Sequence, residues 1–250
     1  MGLVYKKSHE FLDFIPDTND VIVEIGSEQG DGSTAYFAQL AFTKNQKFIT
    51  VDIRSNVICH WKDWYNLIKG SDWPRCDKFD HVYLLPDEIQ KELIEKFQFN
   101  VDYAEETYWA DNLTADEFQN MQYDVARGSH WAKDIFPTYN KKISCLYLDN
   151  FRYTWNISSD DHLLFLEQEK QKYSEQGMEM TNLNCQVEHL SQMVALLPLM
   201  ADRNIVVCND TYAVNDCYLG KCGPVVVYLL TQGYKILCQY GDGTILGKNI

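Results

Sequence analysis

The chain has 250 residues, 46% of them hydrophobic and 23% charged, a balance that excludes intrinsic disorder and leaves enough apolar side chain for a sizeable core. Lys and Arg number 22 against 36 Asp and Glu, and the formal net charge of −14 disfavours polyanions, so neither nucleic acid nor a membrane surface is an expected partner. The length suits one large domain or two small ones.

The eight cysteines form no CxxC pair and no Cys/His ligand spacing, which argues against zinc. The opening residues MGLVYKKSHEFLDF lack the apolar core of a secretory signal, and no stretch approaches the roughly 18 apolar residues of a membrane span. Reduced thiols and a cytoplasmic location are the resulting expectation.

In chain order, Val21-Ile22-Val23-Glu24-Ile25 is short, β-branched and followed by glycines, the pattern of a buried parallel strand. Ser33 to Phe42 carries apolar residues at helical spacing. Lys47 to Ile53 reads as a second strand, so the three make one βαβ unit. Residues 54–120 fit the alternation worst, being polar, acidic and aromatic with Trp61, Trp64, Trp73 and Trp109 among them. They are expected to form an insertion or lid on a single domain spanning 1–250. Strands follow at Ile143 to Leu148 and Asn204 to Cys208, each stopping at or just before an acidic residue. Tyr234 to Gln239 and Thr244 to Leu246 flank Tyr240-Gly241-Asp242-Gly243 as an antiparallel hairpin. Helices are predicted over Ser159 to Lys172, Asn182 to Leu199 and Pro224 to Gln232, with Ser159-Asp160-Asp161 as a credible helix start. His162 and His189 fall within helical stretches and read as structural.

The sharpest local feature is the run from Val23 to Thr34. Glycines at 26, 30 and 32, between a strand and a helix, let the backbone turn tightly and let a ligand approach closely. The spacing G-x-x-x-G-x-G is neither the dinucleotide fingerprint G-x-G-x-x-G nor a P-loop, which needs Lys after its last glycine. Glu24, Glu28 and Asp31 suit a cationic or hydroxyl-rich ligand better than a pyrophosphate. Asp52, at the end of the second strand and about 20 residues past the turn, is placed to accept both ribose hydroxyls. Together these features point to a nucleoside cofactor without phosphate, S-adenosylmethionine.

V-I-V-E-I-G-S-E-Q-G-D-G-S-T followed by F-I-T-V-D-I resembles motif I and the acidic second-strand end of class I S-adenosylmethionine-dependent methyltransferases. Its variant E-I-G-x-x-x-G-x-S/G-T is most similar to the small-molecule O-methyltransferase branch, of sugar and catechol type. Ala126-Arg127-Gly128-Ser129-His130 resembles the segment that this branch places near the adenine ring. Leu148-Asp149-Asn150-Phe151 and Cys208-Asn209-Asp210-Thr211-Tyr212 resemble the endings of its fourth and fifth strands.

The resemblance implies an α/β fold with a Rossmann-like, mostly parallel sheet, helices on both faces and an antiparallel hairpin at the C-terminal end. It implies methyl transfer to an oxygen or nitrogen of a small molecule, with cofactor contacts from Glu24, Gly26, Ser27, Gly30, Gly32, Ser33, Asp52, Ile53, Ser129, His130, Trp131 and Asp149. In metal-dependent members the two strand ends hold a divalent ion. The matching positions are Asp149, Asp210 and either Asn209 or Thr211, hard oxygen ligands suited to magnesium, calcium or manganese. Where related sugar methyltransferases carry a second acid two positions after the strand-four Asp, this chain has Phe151, which leaves His130 and Asp149 as the candidate catalytic groups. Phe151, Tyr153 and Trp155, past the carboxyl end of a strand, are expected to meet the substrate, and Lys221 to contact an anionic group on it. The alternatives are an enzyme that cleaves the cofactor or transfers another group from it, and a non-catalytic adenosine-ligand binder. The expected partner is a small acceptor, with self-association left open.

Overall fold

The computed structural model describes residues 14–26, 33–52, 65–69, 141–150, 160–175, 180, 182–214, 217–240 and 243–250. In chain order its elements are β1 (Val21–Ile25), α1 (Ser33–Thr43), β2 (Phe48–Asp52), β3 (Tyr65–Lys69), β4 (Ile143–Leu148), α2 (Asp160–Glu175) and α3 (Asn182–Leu196). After a single 3-10 turn at Leu197–Leu199 come β5 (Met200–Asn209), β6 (Thr211–Val214), β7 (Cys217–Gly220), α4 (Gly223–Thr231), β8 (Lys235–Tyr240) and β9 (Gly243–Lys248).

Seven of these strands form one sheet in the order β3-β2-β1-β4-β5-β9-β8. The first five are mutually parallel, and β9 runs antiparallel to both β5 and β8. This is the Rossmann-like α/β architecture with a closing hairpin. The order reverses direction between β1 and β4, and open parallel sheets bind ligands in the crevice beyond the strand ends at such a switch point.

Both faces of the sheet are covered, so its central strands are apolar on both sides. Val21, Val23 and Ile25 of β1 pack with Leu146, Val206, Leu190, Met193 and Val225 on the side of α3 and α4. Ile22 points the other way and joins Phe37, Ala38, Phe48, Tyr147 and Val207 beneath α1. The Phe37 and Tyr147 rings lie 5.1 Å apart there. Burying these side chains from water supplies the main driving force for closing the sheet, at about 1.5–3 kcal/mol for each large apolar residue.

Two departures from the sequence reading affect the site. Tyr65–Lys69, inside the stretch read as an insertion, is a parallel strand of the main sheet, paired with β2 from Phe48↔Tyr65 to Asp52↔Lys69. With only Leu67 and Ile68 as a contiguous aliphatic pair, this edge strand lacks the β-branched run that marks β1. The second is β6–β7, a separate hairpin between β5 and α4 with pairs from Thr211↔Gly220 to Val214↔Cys217.

Candidate functional site

The carboxyl ends of β1, β4 and β5 meet at the switch point, and Gly26 sets how closely the first two approach. Its φ is +99°, and a Cβ there would stand 2.6 Å from the Asp149 carbonyl and the Asn150 nitrogen, so only glycine can pass. Ile25 is in register with Val51, which places Asp52 one step further along, beside Gly26. The acid expected to hold a ribose therefore ends its strand next to the glycine turn. That placement fits a nucleoside seated across β1 and β2.

Glu24 lies on the α1 side of β1 and is fully buried. Its carboxylate accepts hydrogen bonds from Ser33 Oγ at 2.5 Å, Thr34 Oγ1 at 2.6 Å and Thr50 Oγ1 at 2.7 Å. Burial pushes its pKa up to about 7, although the three hydroxyls pull it down; the charge of Asp149 adds a small upward push. Expected in the cofactor's polar shell, Glu24 instead spends its hydrogen bonds inside the protein. It joins β1, the first turn of α1 and β2 at the two borders of the glycine loop.

At the ends of β4 and β5 the chemistry is ionic. Lys221 Nζ donates to Asp149 Oδ1 at 2.7 Å and lies 3.1 Å from Asp210 Oδ2. Tyr147 Oη donates to Asp149 Oδ2 at 3.0 Å. Burial alone would lower the Lys221 pKa, but the two carboxylates outweigh it and hold the ammonium above its ordinary value. Burial likewise raises the Tyr147 phenol well above its usual range, with the Asp149 charge acting in the same direction.

Lys221 reaches this position because β6 and β7 fold back on the end of β5. Asp210 adopts a left-handed conformation (φ +47°), and its carbonyl accepts the Lys221 amide at 3.0 Å. Gly220 is also left-handed (φ +90°), and a Cβ on it would lie 2.0 Å from the Asp210 oxygen. Thr211 Oγ1 donates to the Asn209 carbonyl at 2.9 Å and accepts the Cys222 amide at 3.2 Å. Gln186 Nε2 donates to the Gly220 carbonyl at 2.7 Å.

Behind this cluster α3 contributes a second buried polar layer. Gln192 Nε2 donates to Glu188 Oε1 at 2.6 Å. Burial raises the Glu188 pKa to about 8, opposed by its hydrogen bonds to Gln192 and Asn150. His189, fully buried, has its Nδ1 at 2.5 Å from the Cys185 carbonyl, which can only accept, so Nδ1 carries the proton. Burial and the nearby Lys221 charge lower its pKa to about 3, and it is neutral near pH 7.

The structure thus brings Asp149, Asp210 and Lys221 into contact and sets Glu24 and Ser33 one strand away. Of the other expected site residues, Asp52 is described through its backbone alone. Ser27, Gly30, Gly32, Ile53, Ser129, His130, Trp131, Phe151, Tyr153 and Trp155 lie outside the described residues. Lys221, expected at an anionic substrate group, is already engaged by two carboxylates. The expected metal is not supported. The Lys221 ammonium occupies the contact between Asp149 and Asp210, the Thr211 hydroxyl is buried and committed to main-chain partners, and among the described residues no group of three His, Cys, Asp or Glu is arranged to hold an ion.

No protein-family model matches this chain, and no curated protein matches it. Among solved structures it is similar to a protein described as a ribosomal RNA methyltransferase from Plasmodium falciparum, at 12% identity and a TM-score of 0.39, over 98% of this chain and 94% of that one. It is also similar to a protein described as an rRNA-methylase from Clostridium thermocellum, at 12% identity and a TM-score of 0.35, over 97% and 95% of the two chains. The expected exclusion of nucleic acid is corrected accordingly: both similar structures carry ribosomal RNA methylation in their descriptions, and a net charge summed over a whole chain does not set the sign of one face. Among the described residues, no helix is long and apolar enough to cross a membrane.

Proposed function

We propose that this chain is an S-adenosylmethionine-dependent methyltransferase acting on an oxygen or nitrogen of its acceptor. The observation that carries the reading is the register at the switch point, where the glycine turn after β1 stands between Asp52 on β2 and Asp149 on β4. Asp52 would hold the ribose, and the backbone from Gly26 would receive the amino-acid part. When bound, the cofactor supplies an electrophilic methyl group on a sulfonium. Donation of an acceptor lone pair to that carbon breaks the carbon–sulfur bond, and the acceptor's proton is left to be taken up.

This chain's own residues then have two tasks. Glu24 fixes the two borders of the glycine loop by tying β1 to Ser33 and Thr34 of α1 and to Thr50 of β2. Asp149, held at one oxygen by Lys221 and at the other by Tyr147, follows the end of β4 at the switch point, where the acceptor would sit. It is the described group best placed to take or steer the acceptor's proton, alongside the expected role of His130.

Calorimetry with S-adenosylmethionine and S-adenosylhomocysteine tests cofactor binding directly, and Asp52→Ala is expected to weaken both. Absence of binding by the folded protein ends the proposal. Turnover is then followed as S-adenosylhomocysteine release with two sets of acceptors, small hydroxyl, carboxyl and amine compounds in one and RNA in the other. Product that needs an acceptor supports transfer and identifies its class. Consumption without any acceptor supports cofactor cleavage, and binding without turnover supports a non-catalytic binder.

A further inference from the structure

We propose that Lys221 is the resident cation of this site, a tethered ammonium standing where a divalent ion would bridge Asp149 and Asp210, which positions Asp149 and makes the site independent of metal. The inference rests on the methyltransferase reading only for the reaction that the site serves; the claim about the cation stands on geometry. Nζ is within 2.7 Å of one carboxylate and 3.1 Å of the other, and its side chain is 9% exposed. An ion between the same oxygens would have to displace a charge that is covalently part of the chain.

The loop that delivers Lys221 is fastened at both ends. The Lys221 amide is bonded to Asp210, the Cys222 amide to the Thr211 hydroxyl, and the Gly220 carbonyl to Gln186 of α3. Left-handed residues at 210 and 220 bring the two ends of the β6–β7 hairpin so close that position 220 has no room for a Cβ. Such anchoring fixes the ammonium within hydrogen-bond reach of both acids and limits how far it can swing away. Nζ donates one hydrogen bond to Asp149 and is ion-paired with Asp210, and an ammonium with three N–H groups keeps donor capacity for an oxygen of the bound acceptor. An ammonium also differs from a divalent ion in the charge it leaves. With Lys221 the two carboxylates retain one formal negative charge, which favours a cationic ligand in the crevice.

The test uses the full chain and Mn2+ as the probe, read by electron paramagnetic resonance. Wild type is expected to show only weak, non-stoichiometric binding, unchanged by Asp210→Asn. Lys221→Gln, which removes the ammonium and leaves both carboxylates, should gain one Mn2+ site, weakened about tenfold or more when Asp210→Asn is added. Lys221→Arg, which restores a cation, should not gain it. A stoichiometric wild-type site lost on Asp210→Asn overturns the proposal, as does a folded Lys221→Gln protein that gains no site. If Lys221→Gln does not fold, the wild-type and Lys221→Arg arms still decide. Once an acceptor is known, wild-type turnover should be unchanged by a chelator, and loss of activity on chelation also overturns the proposal. Failure of the methyltransferase reading would appear separately, as absence of cofactor binding, and would leave the Mn2+ result intact.

Discussion

Two acidic sites, one fully buried and one partly exposed, lie a strand apart at the same edge of the sheet, and they are stabilised in opposite ways. Glu24 on β1 is surrounded by three neutral hydroxyls, whereas Asp149 on β4 shares an ammonium with Asp210. Hydroxyl dipoles only partly replace water around a carboxylate, so Glu24 keeps a raised pKa of about 7. A full opposite charge does more, and the Lys221 pKa lies above its ordinary value despite burial. The contrast separates two jobs: a carboxyl free to change protonation near neutrality ties β1, α1 and β2 together, and an ion-paired cluster stands at the ends of β4 and β5.

The largest expected effect comes from breaking the ionic site. Lys221→Met leaves two partly exposed carboxylates facing each other and should cost about 1–3 kcal/mol of stability by denaturant unfolding, less than a fully buried pair because water screens them in part. A loss below about 1 kcal/mol would mean that water screens the pair almost completely. Glu24→Gln sharpens the other half of the comparison. Because the folded pKa of Glu24 is raised from 4.5 to about 7, the stability it contributes is complete below pH 4.5 and is lost as pH rises through about 7. The stability of Glu24→Gln relative to wild type should therefore climb by about 1.4 kcal/mol per pH unit across that window and level off above it. A flat difference would sink the assignment. His189 gives the opposite sign, since its lowered pKa contributes stability present above 6.5 and lost as pH falls through about 3, so the comparison is made between variants and not on wild type alone.

A further effect is expected from the turn that carries the cation. Gly220→Ala forces a Cβ against the Asp210 carbonyl in a left-handed conformation and should lower stability by about 2 kcal/mol. A neutral result would show that the β6–β7 hairpin can shift without disturbing Lys221. Ser33→Ala removes one of three hydroxyls from Glu24, and a loss of about 1 kcal/mol is expected, with the Glu24 carboxyl titrating at higher pH in a spectroscopic titration.

The central fold was legible because β1 and β4 are almost wholly apolar, broken only by Glu24 and Ser144, and strands covered on both faces carry that signature; their bounds match the sequence reading residue for residue. β3 was hidden because an edge strand packs less and needs fewer apolar residues, and Asn66 and Lys69 broke its pattern. The β6–β7 hairpin did have a signal, Asn215-Asp216 between Tyr212-Ala213-Val214 and Cys217-Tyr218-Leu219. Missing it left Lys221 in a turn before a helix and expected at an anionic substrate group, with no means of returning to Asp149. Glu24 could also have been placed. An acid inside a wholly buried strand needs partners, and hydroxyls at positions 33, 34 and 50 were the nearest that a βαβ unit offers.

The sheet order also bears on how the chain assembles. Between β1 and β4, neighbours in the sheet, the whole 26–142 stretch intervenes, while β2 follows β1 after α1 alone among the described elements. The β1–β2 pair therefore has a low closure entropy and can form early, but one side of β1 must wait for β4, and Asp149 for a lysine made later still. During synthesis from the amino end, the glycine-loop half precedes the ionic half, and the crevice between them exists only once the chain has passed Lys221.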